Sequence, residues 1–450
     1  MSTARYAISS ELLQKIIKWL PKQRWFPKKG RISIEEAVEI PGEKNLLLLQ
    51  LSVDGSEVFL PLILDKEKPG IEASLIKVQD RYIYEAEFSA YYFEKLFRDE
   101  IGVLEKRGFK PLPQKIASVE ALSRSSTNRL IKLNTDLGPL VAKCYRTLTS
   151  ENQEPLFLSY LSGEYTPEVY AYWEVKGKPI ATLMEYVKIL EDAGAAFYKA
   201  ACITIRRKRL QLPHEHAIRV ARFVAGFHEK MAECDNAWCK PEKISINDIV
   251  DWEKRIASYG NLMRRELRLL NIPGLERKAV ARINEAIKIL KQFSGLIKIR
   301  THQDLHLGQI AVTPNQLFIL DFEGEPLRKY RVEKEPCLRD IACLLRSLVY
   351  IAFSAYKNFL RKSNQSVFKA FIKGKAVLMS EWYQAVFDAI LESYLESLSI
   401  EKVLGESLEK DEVKNLLLPW LVERSCYEFA YEAKYRPENR FIPLLGLVTF

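Results

Sequence analysis

The stretch that most constrains this chain spans residues 300–325 and reads RTHQDLHLGQIAVTPNQLFILDFEGE. Two short apolar runs flank a Pro-Asn turn within it, which is typical of a β-hairpin. Gln309 and Asp321 are equally far in sequence from Asn315. Strand pairing therefore predicts that they lie side by side, with Cβ atoms about 4.5–5.5 Å apart. An amide oxygen and a carboxylate so placed are ligands that Mg²⁺ accepts.

Asp304 lies on the predicted loop that leads into the hairpin, where it is able to face a substrate hydroxyl group. An Asp, an amide residue after it and an Asp-Phe pair across a hairpin form the phosphoryl-transfer layout of protein-kinase-like folds. The alternative is a hairpin whose polar residues merely face water. A zinc site at His302 and His306 is disfavoured, because no Glu follows His302 and no third ligand is evident.

The composition describes a globular protein, with 450 residues, 48% hydrophobic and 28% charged residues, which suits two or three domains. The net charge of +10 raises the question of nucleic-acid binding, but basic residues are interleaved with acidic ones. A positive field that attracts phosphate-bearing ligands is the favoured explanation, with no nucleic acid and no membrane as partner. Seven cysteines without a CxxC pair predict reduced thiols and a cytoplasmic protein.

Hydrophobic periodicity gives the order of the predicted elements. Strands are predicted over 32–40, 45–53, 57–64, 129–133, 139–145 and 180–187. Helices are predicted over 8–20, 87–105, 214–231, 246–269, 276–293, 337–361, 366–397 and 410–435. Arg339 and Asp340 open one of these helices and are expected to brace the site from behind, whereas His228 is interpreted as a packing residue.

Lys143 lies inside an apolar strand, where an unpaired charge is costly. The phosphates of ATP and the carboxylate of Glu154, on the next predicted helix, are its candidate partners. The alternative is a lysine on an edge strand facing water. The chain has no glycine-rich phosphate motif, so the loop 123–128 is the candidate phosphate cover. Further nucleotide contacts are predicted at Ser125, Ser126, Thr127 and Glu185.

Several motifs are spread over nearly the whole chain. They are QRWF at 23–26, KCYR at 143–146, HQDLHLGQ at 302–309, DFEGEP at 321–326, LRDIA at 338–342 and YEFAYEAKYRP at 427–437. With these motifs the chain resembles the maltokinases, relatives of aminoglycoside phosphotransferases and eukaryotic-like kinases that convert maltose to maltose 1-phosphate. Gln303 departs from the family's usual glycine. Arg424 replaces a common lysine, which leaves the identity of the sugar open.

The resemblance implies an α+β, bilobal protein-kinase-like fold. Its expected parts are an N-terminal α/β cap subdomain (1–108), a β-rich nucleotide-binding lobe (109–188) and a mainly helical C-lobe (189–450). It implies Asp304 as the catalytic base, Mg²⁺ held by Gln309 and Asp321, and ATP phosphates contacted by Lys143. The residues expected at the sugar are His302, Glu323, Arg424, Tyr427, Glu428 and Tyr431.

The function expected from this resemblance is ATP-dependent phosphorylation of maltose, with trehalose synthase as a candidate partner protein. An amino-sugar kinase of the glucosamine type on the same scaffold is the alternative, because an acidic pocket formed by Glu323, Glu325, Glu428 and Glu432 would match an ammonium group. A nucleotide-binding pseudokinase that acts through a partner is the alternative of another class. The presence of Lys143, Asp304, Gln309 and Asp321 argues against it.

Overall fold

The computed structural model describes residues 10–23, 26, 30–68, 76–78, 80–123, 128–272, 274–328 and 332–448. The chain divides into two compact units, Met1–Lys188 and Ile189–Phe450. The three-part division expected from the sequence, with boundaries at 108 and 188, stays a prediction.

The first unit opens with a five-stranded antiparallel sheet in the order β1-β2-β3-β5-β4. Its strands are β1 (Ile32–Ile40), β2 (Asn45–Val53), β3 (Ser56–Asp65), β4 (Ile76–Val78) and β5 (Arg81–Glu85). Asp54 and Gly55 join β2 to β3 with φ angles of 50° and 82°. A tight two-residue hairpin turn requires such left-handed values, which explains the Asp-Gly pair.

Strand β2 is almost continuously apolar because both of its faces are buried. Leu46 and Leu48 belong to a hydrophobic cluster with Phe93 of helix α2 (Ala90–Phe97). Leu47 belongs to another cluster with Ile16 of helix α1 (Ser10–Trp19). Successive side chains of a strand point to opposite faces, so one run of leucines serves two cores.

The other sheet of this unit has six strands in the order β6-β10-β11-β9-β8-β7. They are β6 (Glu105–Gly108), β7 (Ile116–Ser123), β8 (Arg129–Thr135), β9 (Gly138–Cys144), β10 (Val169–Val175) and β11 (Lys178–Glu185), and helix α3 (Glu154–Tyr160) lies between β9 and β10 in sequence. Strand β9, which carries Lys143, pairs with β8 on one side and β11 on the other. The edge-strand alternative for Lys143 is therefore wrong.

The helix predicted over 87–105 is shorter in the structure. Helix α2 follows a 3₁₀ turn, Ala86–Phe88, and Glu105 already belongs to β6. The helix ends at Phe97 because Asp99 adopts a φ of 56°, which an α-helix does not accommodate.

The second unit is mainly helical. Its helices are α4 (Gly194–Arg207), α5 (His214–Ala232), α6 (Ile246–Leu270), α7 (Leu275–Leu290), α8 (Leu338–Leu360), α9 (Asn364–Ile372), α10 (Val377–Ser397), α11 (Ile400–Leu404), α12 (Lys410–Tyr435) and α13 (Phe441–Val448). Its short strands are β12 (Glu191–Asp192), β13 (Glu242–Lys243), β14 (Ile297–Lys298), β15 (Ile310–Val312) and β16 (Leu317–Ile319). They form a three-stranded sheet, β12-β15-β16, and a pair, β13-β14.

Two features of this unit differ from the sequence prediction. The helix predicted over 366–397 is split into α9 and α10, because Gly374 between them has a φ of 66°. Helices α4, α11 and α13 were not predicted. Helix α8 lies at the centre of the unit and is buried over most of its length, including Arg346. In the described part of the chain, every helix is too short or too polar to cross a bilayer.

The cysteines are not all reduced. Cys234 and Cys239 form a disulfide with a Cα–Cα distance of 5.8 Å, which is within the usual range for such a bond. The prediction of reduced thiols is wrong for this pair, because the search for a CxxC pattern overlooks cysteines with a longer spacing. The cysteines that remain free are Cys144, Cys202, Cys337, Cys343 and Cys426.

Candidate active site

The predicted hairpin is formed by β15 and β16, with a small shift in register. The Leu320 amide donates to the Gln309 carbonyl oxygen at 2.9 Å, so Gln309 lies opposite Leu320 rather than Asp321. The turn comprises residues 313–316 and has an even number of residues. The prediction centred the turn on Asn315, as if the turn had an odd number of residues. It therefore paired Gln309 with Asp321, one position too far along the chain.

The side chains of Gln309 and Asp321 nevertheless meet, with Gln309 Nε2 3.4 Å from Asp321 Oδ2. Asp321 has a φ of 64°, a left-handed conformation directly after the hairpin. Rotation of the amide group would present the Gln309 oxygen beside the carboxylate. Two hard oxygen donors on adjacent chain segments fit Mg²⁺, which takes its other ligands from phosphate and water. Their role as metal ligands stays a prediction.

Asp304 is half-buried on the loop before the hairpin. The imidazole ring of His302 holds that loop through two contacts with the backbone. The Asp304 amide donates to His302 Nδ1 at 3.3 Å. On the other side of the ring, Nε2 lies 2.9 Å from the Leu320 carbonyl oxygen. This pattern requires a neutral imidazole with its proton on Nε2. Both ring nitrogens of His302 thus contact backbone groups, and its contact with a sugar stays a prediction.

The first turn of α8 holds the same loop, as the sequence analysis expected for Arg339 and Asp340. The Asp340 carboxylate accepts hydrogen bonds from the amides of His302 at 2.7 Å and Gln303 at 2.8 Å. Arg339 Nη1 donates to the Gln303 carbonyl oxygen at 2.8 Å. Gln303 has a φ of 72°, a region that favours glycine. A residue other than glycine in this conformation needs the support that Arg339 and Asp340 give to this segment.

His228 of α5 is fully buried beside that brace. Its Nε2 lies 3.5 Å from Asp340 Oδ2, and its Nδ1 lies 2.7 Å from the Tyr394 hydroxyl group. Burial disfavours the charged form of Asp340, but the adjacent His228 and the His302 amide hold its pKa below the ordinary value. The carboxylate therefore stays ionised, which suits its role as an acceptor for two backbone amides.

Arg424 of α12 is the centre of a buried ionic cluster at Asp304. Its Nη2 donates to Asp304 Oδ1 at 2.6 Å, and its Nε donates to Glu428 Oε1 at 3.1 Å. Its Nη1 forms a further ion pair with Glu325, and the guanidinium lies over the Tyr427 ring at 5.0 Å. Arg424 contacts Asp304 directly and is therefore placed to orient this carboxylate, and its predicted contact with a sugar stays a prediction.

A cavity of about 310 Å³ opens next to Asp304 within the second unit. Its volume is at the lower end of the range for small-molecule sites. Five of its lining residues were predicted from the sequence, namely Asp304, Arg424, Tyr427, Glu428 and Tyr431. Glu432 was named from the sequence as an acid that would suit an amino sugar, and six others were not predicted, namely His306, Pro326, Cys343, Ser347, Tyr350 and Arg436.

Helical spacing is the signal that would have found several of these residues. Glu432 and Arg436 follow Glu428 at successive steps of four on α12, so they share its face. On α8, Ser347 and Tyr350 follow Cys343 at steps of four and three.

Glu432 is a buried acid of the cavity wall with incomplete hydrogen bonding. Its Oε1 accepts from the Tyr350 hydroxyl group at 3.2 Å and from Arg436 Nη2 at 2.8 Å. Its Oε2 is buried and has no hydrogen-bond partner among the residues that the structure describes. Burial raises the pKa of Glu432. A cationic or hydroxyl donor on a ligand would complete its hydrogen bonding.

The first unit contains the predicted partner of Lys143. Lys143 is buried in β9, and its Nζ lies 2.8 Å from Oε1 and 2.7 Å from Oε2 of Glu154 on α3. An ammonium ion buried in this way needs a carboxylate partner. The pair has the form that protein kinases use to orient a lysine toward ATP phosphates, and this nucleotide role stays a prediction.

The other predicted residues have less distinctive surroundings. Glu185 is exposed at the end of β11 and pairs in register with Leu140. Glu323 is half-buried after Phe322, whose ring packs against His302 at 4.8 Å. The predicted phosphate-loop residues and part of the N-terminal motif lie outside the described residues, namely Arg24, Trp25, Ser125, Ser126 and Thr127. The functional roles of all these residues stay predictions.

Comparison with models of protein families finds no match for this chain. A curated relative, glucosamine kinase from Streptacidiphilus jiangxiensis, is 24% identical over 200 residues, which cover 43% of this chain and 42% of the relative. The sequence match thus spans less than half of that relative's length.

Solved structures extend the likeness to almost the whole chain. Glucosamine kinase in complex with glucosamine, ADP and inorganic phosphate has a TM-score of 0.66 at 13% identity, covering 94% of this chain and 95% of that structure. Another crystal form of glucosamine kinase has a TM-score of 0.65 at 13% identity and covers 98% of both chains. The chain has a kinase fold. The expected α+β kinase-like class is confirmed, and the narrower resemblance to maltokinases stays a prediction.

Proposed function

We propose that this chain is an ATP- and Mg²⁺-dependent kinase that phosphorylates a hydroxyl group of a sugar. The observation that carries the proposal is the position of Asp304. Its carboxylate lies in the wall of a polar cavity, on the loop that leads directly to the adjoining side chains of Gln309 and Asp321. A base beside an acceptor site and a pair of metal donors on the same loop are what phosphoryl transfer requires.

In the proposed reaction, Asp304 accepts the proton of the sugar hydroxyl group. The hydroxyl oxygen forms a bond to the γ-phosphorus of ATP, and the bond from that phosphorus to the β–γ bridging oxygen breaks, releasing ADP. Arg424 fixes one oxygen of Asp304 through a hydrogen bond of 2.6 Å and so sets the plane of the carboxylate. Gln309 and Asp321 would hold Mg²⁺, which supplies charge neutralisation on the phosphates. Lys143, oriented by Glu154, would contact the phosphates of ATP.

For the acceptor we propose an amino sugar of the glucosamine type. Glu432 supports this choice, because its buried Oε2 is a strong acceptor that a ligand ammonium group would satisfy. Arg436 pairs with Oε1 of Glu432 at 2.8 Å, and Arg424 already pairs with Asp304 and Glu428, so Oε2 of Glu432 is left for a ligand. The similarity to a glucosamine kinase solved with glucosamine supports the same choice.

Maltose is the second candidate acceptor, favoured by the maltokinase-like motifs and by three tyrosines in the cavity wall. Tyr350, Tyr427 and Tyr431 offer ring faces against which sugar rings pack. In that case trehalose synthase would be the partner enzyme that supplies maltose. In either case, the proposed enzyme acts on small molecules.

Release of ADP in the presence of glucosamine, maltose, glucose or an aminoglycoside tests the proposal. We expect the wild-type chain to turn over glucosamine and the Asp304→Asn variant to have no turnover. The variant should still bind ATP, because the substitution does not involve the Lys143–Glu154 pair. Asn315→Ala, a change in the exposed hairpin turn, is the matched control and should retain turnover. Retained turnover in Asp304→Asn would contradict the base assignment. ATP binding without turnover on any sugar would favour the pseudokinase.

The Glu432→Gln variant separates the two acceptors. Loss of the ion pair should raise KM for glucosamine by about 10–100-fold, since each tenfold change corresponds to about 1.4 kcal/mol. KM for a neutral sugar should change far less. A wild-type preference for maltose with no response to Glu432→Gln would select the maltokinase instead.

A further inference from the structure

A second cavity lies in the helical unit, away from Asp304. It has a volume of about 210 Å³ and is lined by residues of α7, α8, α10, α12 and α13. Its apolar wall includes Phe387, Leu421 and Leu447. Its polar groups include two arginines, Arg282 and Arg346. A mostly apolar cavity with cationic groups in its wall is a suitable environment for an organic anion.

Arg346 is the group that makes this cavity unusual. It is 1% exposed, and its Nη2 donates to Glu428 Oε2 at 2.7 Å. Its Nε and Nη1 atoms are buried and lack a hydrogen-bond partner within the described part of the chain. Leaving charged donors buried and unsatisfied is costly. A ligand that accepts from both atoms would remove this cost.

Gly446 makes room for this arrangement. A Cβ atom at Gly446 would lie 1.4 Å from Nη1 of Arg346, so no larger residue fits there without displacing the guanidinium. Gly446 itself lines the cavity. The backbone of α13 thus packs directly against the guanidinium, and only a glycine at this position allows that contact.

The charge around the cavity favours an anion. Arg282 of α7 and the buried hydroxyl group of Tyr383 line the space together with Arg346. Glu428 faces Arg346 from α12. The nearby carboxylate of Asp388 on α10 accepts from Gln384 Nε2 at 2.8 Å. Both acids are therefore engaged, and two guanidinium groups face the interior.

We propose that this cavity binds a small organic oxyanion, either a carboxylate or a phosphate monoester. A guanidinium offers parallel N–H donors that match two oxygens of such a group. The Nε and Nη1 donors of Arg346 would bind the oxyanion, Arg282 would provide a second positive charge, and the apolar wall would pack against the organic part.

The site is connected to Asp304 by consecutive ion pairs. Arg346 contacts Glu428 at 2.7 Å, Glu428 contacts Arg424 at 3.1 Å, and Arg424 contacts Asp304 at 2.6 Å. An anion on Arg346 competes with Glu428 for its positive charge and so perturbs the position of Arg424. The expected consequence is a lower kcat with bound anion, and this consequence rests on the proposed kinase function.

Calorimetric titration of the full chain, saturated with ADP, tests the binding itself. The probes are propionate for the carboxylate and methyl phosphate for the phosphate monoester, with propionamide as the neutral control. We expect wild type to bind at least one anion and not propionamide. The affinities for propionate and methyl phosphate show whether the cavity takes a carboxylate or a phosphate monoester.

Three variants locate the site. Arg282→Met removes a charge without touching the Arg346–Glu428 pair and should weaken binding about tenfold or more. Leu421→Trp fills the cavity and should abolish binding. Arg277→Met removes an exposed arginine from the same helix as Arg282 and should bind like wild type. Equal binding by wild type, Arg282→Met and Leu421→Trp, or absence of binding by either anion, would overturn the proposal. Because the titration involves no turnover, its result is independent of the kinase proposal.

Discussion

Arg424 donates a hydrogen bond of 2.6 Å from Nη2 to Oδ1 of Asp304, across 120 residues of sequence. Both side chains line one cavity, and Arg424 also holds Glu325 and Glu428. A guanidinium fixes the plane of a carboxylate as well as its charge. Arg424 is therefore a positioning residue for the proposed base.

Replacement of Arg424 should reduce catalysis more than substrate binding. We expect Arg424→Met to lower kcat about 100-fold, because misplacement of a catalytic group by a small distance has an effect of that size. KM for ATP should stay close to the wild-type value. Arg424→Lys should recover part of kcat, since it keeps the charge but not the fork geometry.

Steady-state kinetics on wild type and both variants measures this separation. Arg436→Met is the matched control, because Arg436 lines the same cavity but pairs with Glu432. It should change KM for the sugar rather than kcat. Equal effects of Arg424→Met and Arg436→Met on kcat would show that Arg424 has no special relationship with Asp304.

The metal assignment predicts a selective change in magnesium dependence. Asp321→Asn and Gln309→Ala should each shift the Mg²⁺ concentration for half-maximal activity upward by more than about tenfold, the effect expected even for residues that only support a ligand. Activity titrated with Mg²⁺ at fixed ATP measures the shift. Asn315→Ala in the same hairpin should leave the curve unchanged. Unchanged curves for Asp321→Asn would exclude it as a metal ligand.

Local patterns in the sequence predicted the parts of the fold that depend on neighbouring residues. The Asp54-Gly55 turn, the strands β1 and β2 and the hairpin of β15 and β16 follow from alternation and turn chemistry within a few residues. Lys143 and Glu154 were paired correctly, because a buried charge in a strand needs a partner and the next helix offers one.

Relationships across long stretches of sequence were harder to predict. No local pattern shows that Arg424 reaches Asp304, or that Arg346 on α8 meets Glu428 on α12. The exact register of the hairpin depends on whether its turn has an odd or an even number of residues, which Thr-Pro-Asn-Gln does not reveal. The break between α9 and α10 depends on the conformation of Gly374, and glycine alone does not determine where a helix ends.

The Lys143–Glu154 pair predicts a separate effect on the nucleotide. Lys143→Met should raise KM for ATP by more than about tenfold, because a phosphate contact that involves a charged donor contributes about 1.5–3 kcal/mol. Glu154→Gln should raise KM for ATP by a smaller factor, since it keeps the charge of Lys143 but orients the ammonium group less firmly. Lys176→Met, at a lysine whose side chain is 68% exposed, is the control. A normal KM for ATP in Lys143→Met would contradict the nucleotide role.

Asp340 predicts how the catalytic loop responds to acid. Its folded-state pKa lies below the ordinary value of 3.8, so its contribution to stability is present above that value and is lost as the pH falls through the folded pKa. Asp340→Ala leaves the amides of His302 and Gln303 unpaired, each at a cost of about 1–3 kcal/mol. The variant should unfold at a lower urea concentration than wild type at pH 7. Between pH 5 and pH 3, about one unit either side of an ordinary carboxyl pKa, it should lose less stability than wild type does.

Urea denaturation at the two pH values and amide hydrogen exchange test this expectation together. Exchange at His302 and Gln303 should be faster in Asp340→Ala, because these amides donate to Asp340 at 2.7 and 2.8 Å, whereas amides of β2, which belongs to the first unit, should be unaffected. Asp251→Asn, at a carboxylate that is 73% exposed, should behave like wild type in both measurements. Unchanged exchange at the two loop amides would show that Asp340 does not hold the loop in solution. The His302–Gln303 segment would then need another explanation for the φ of 72° that Gln303 maintains.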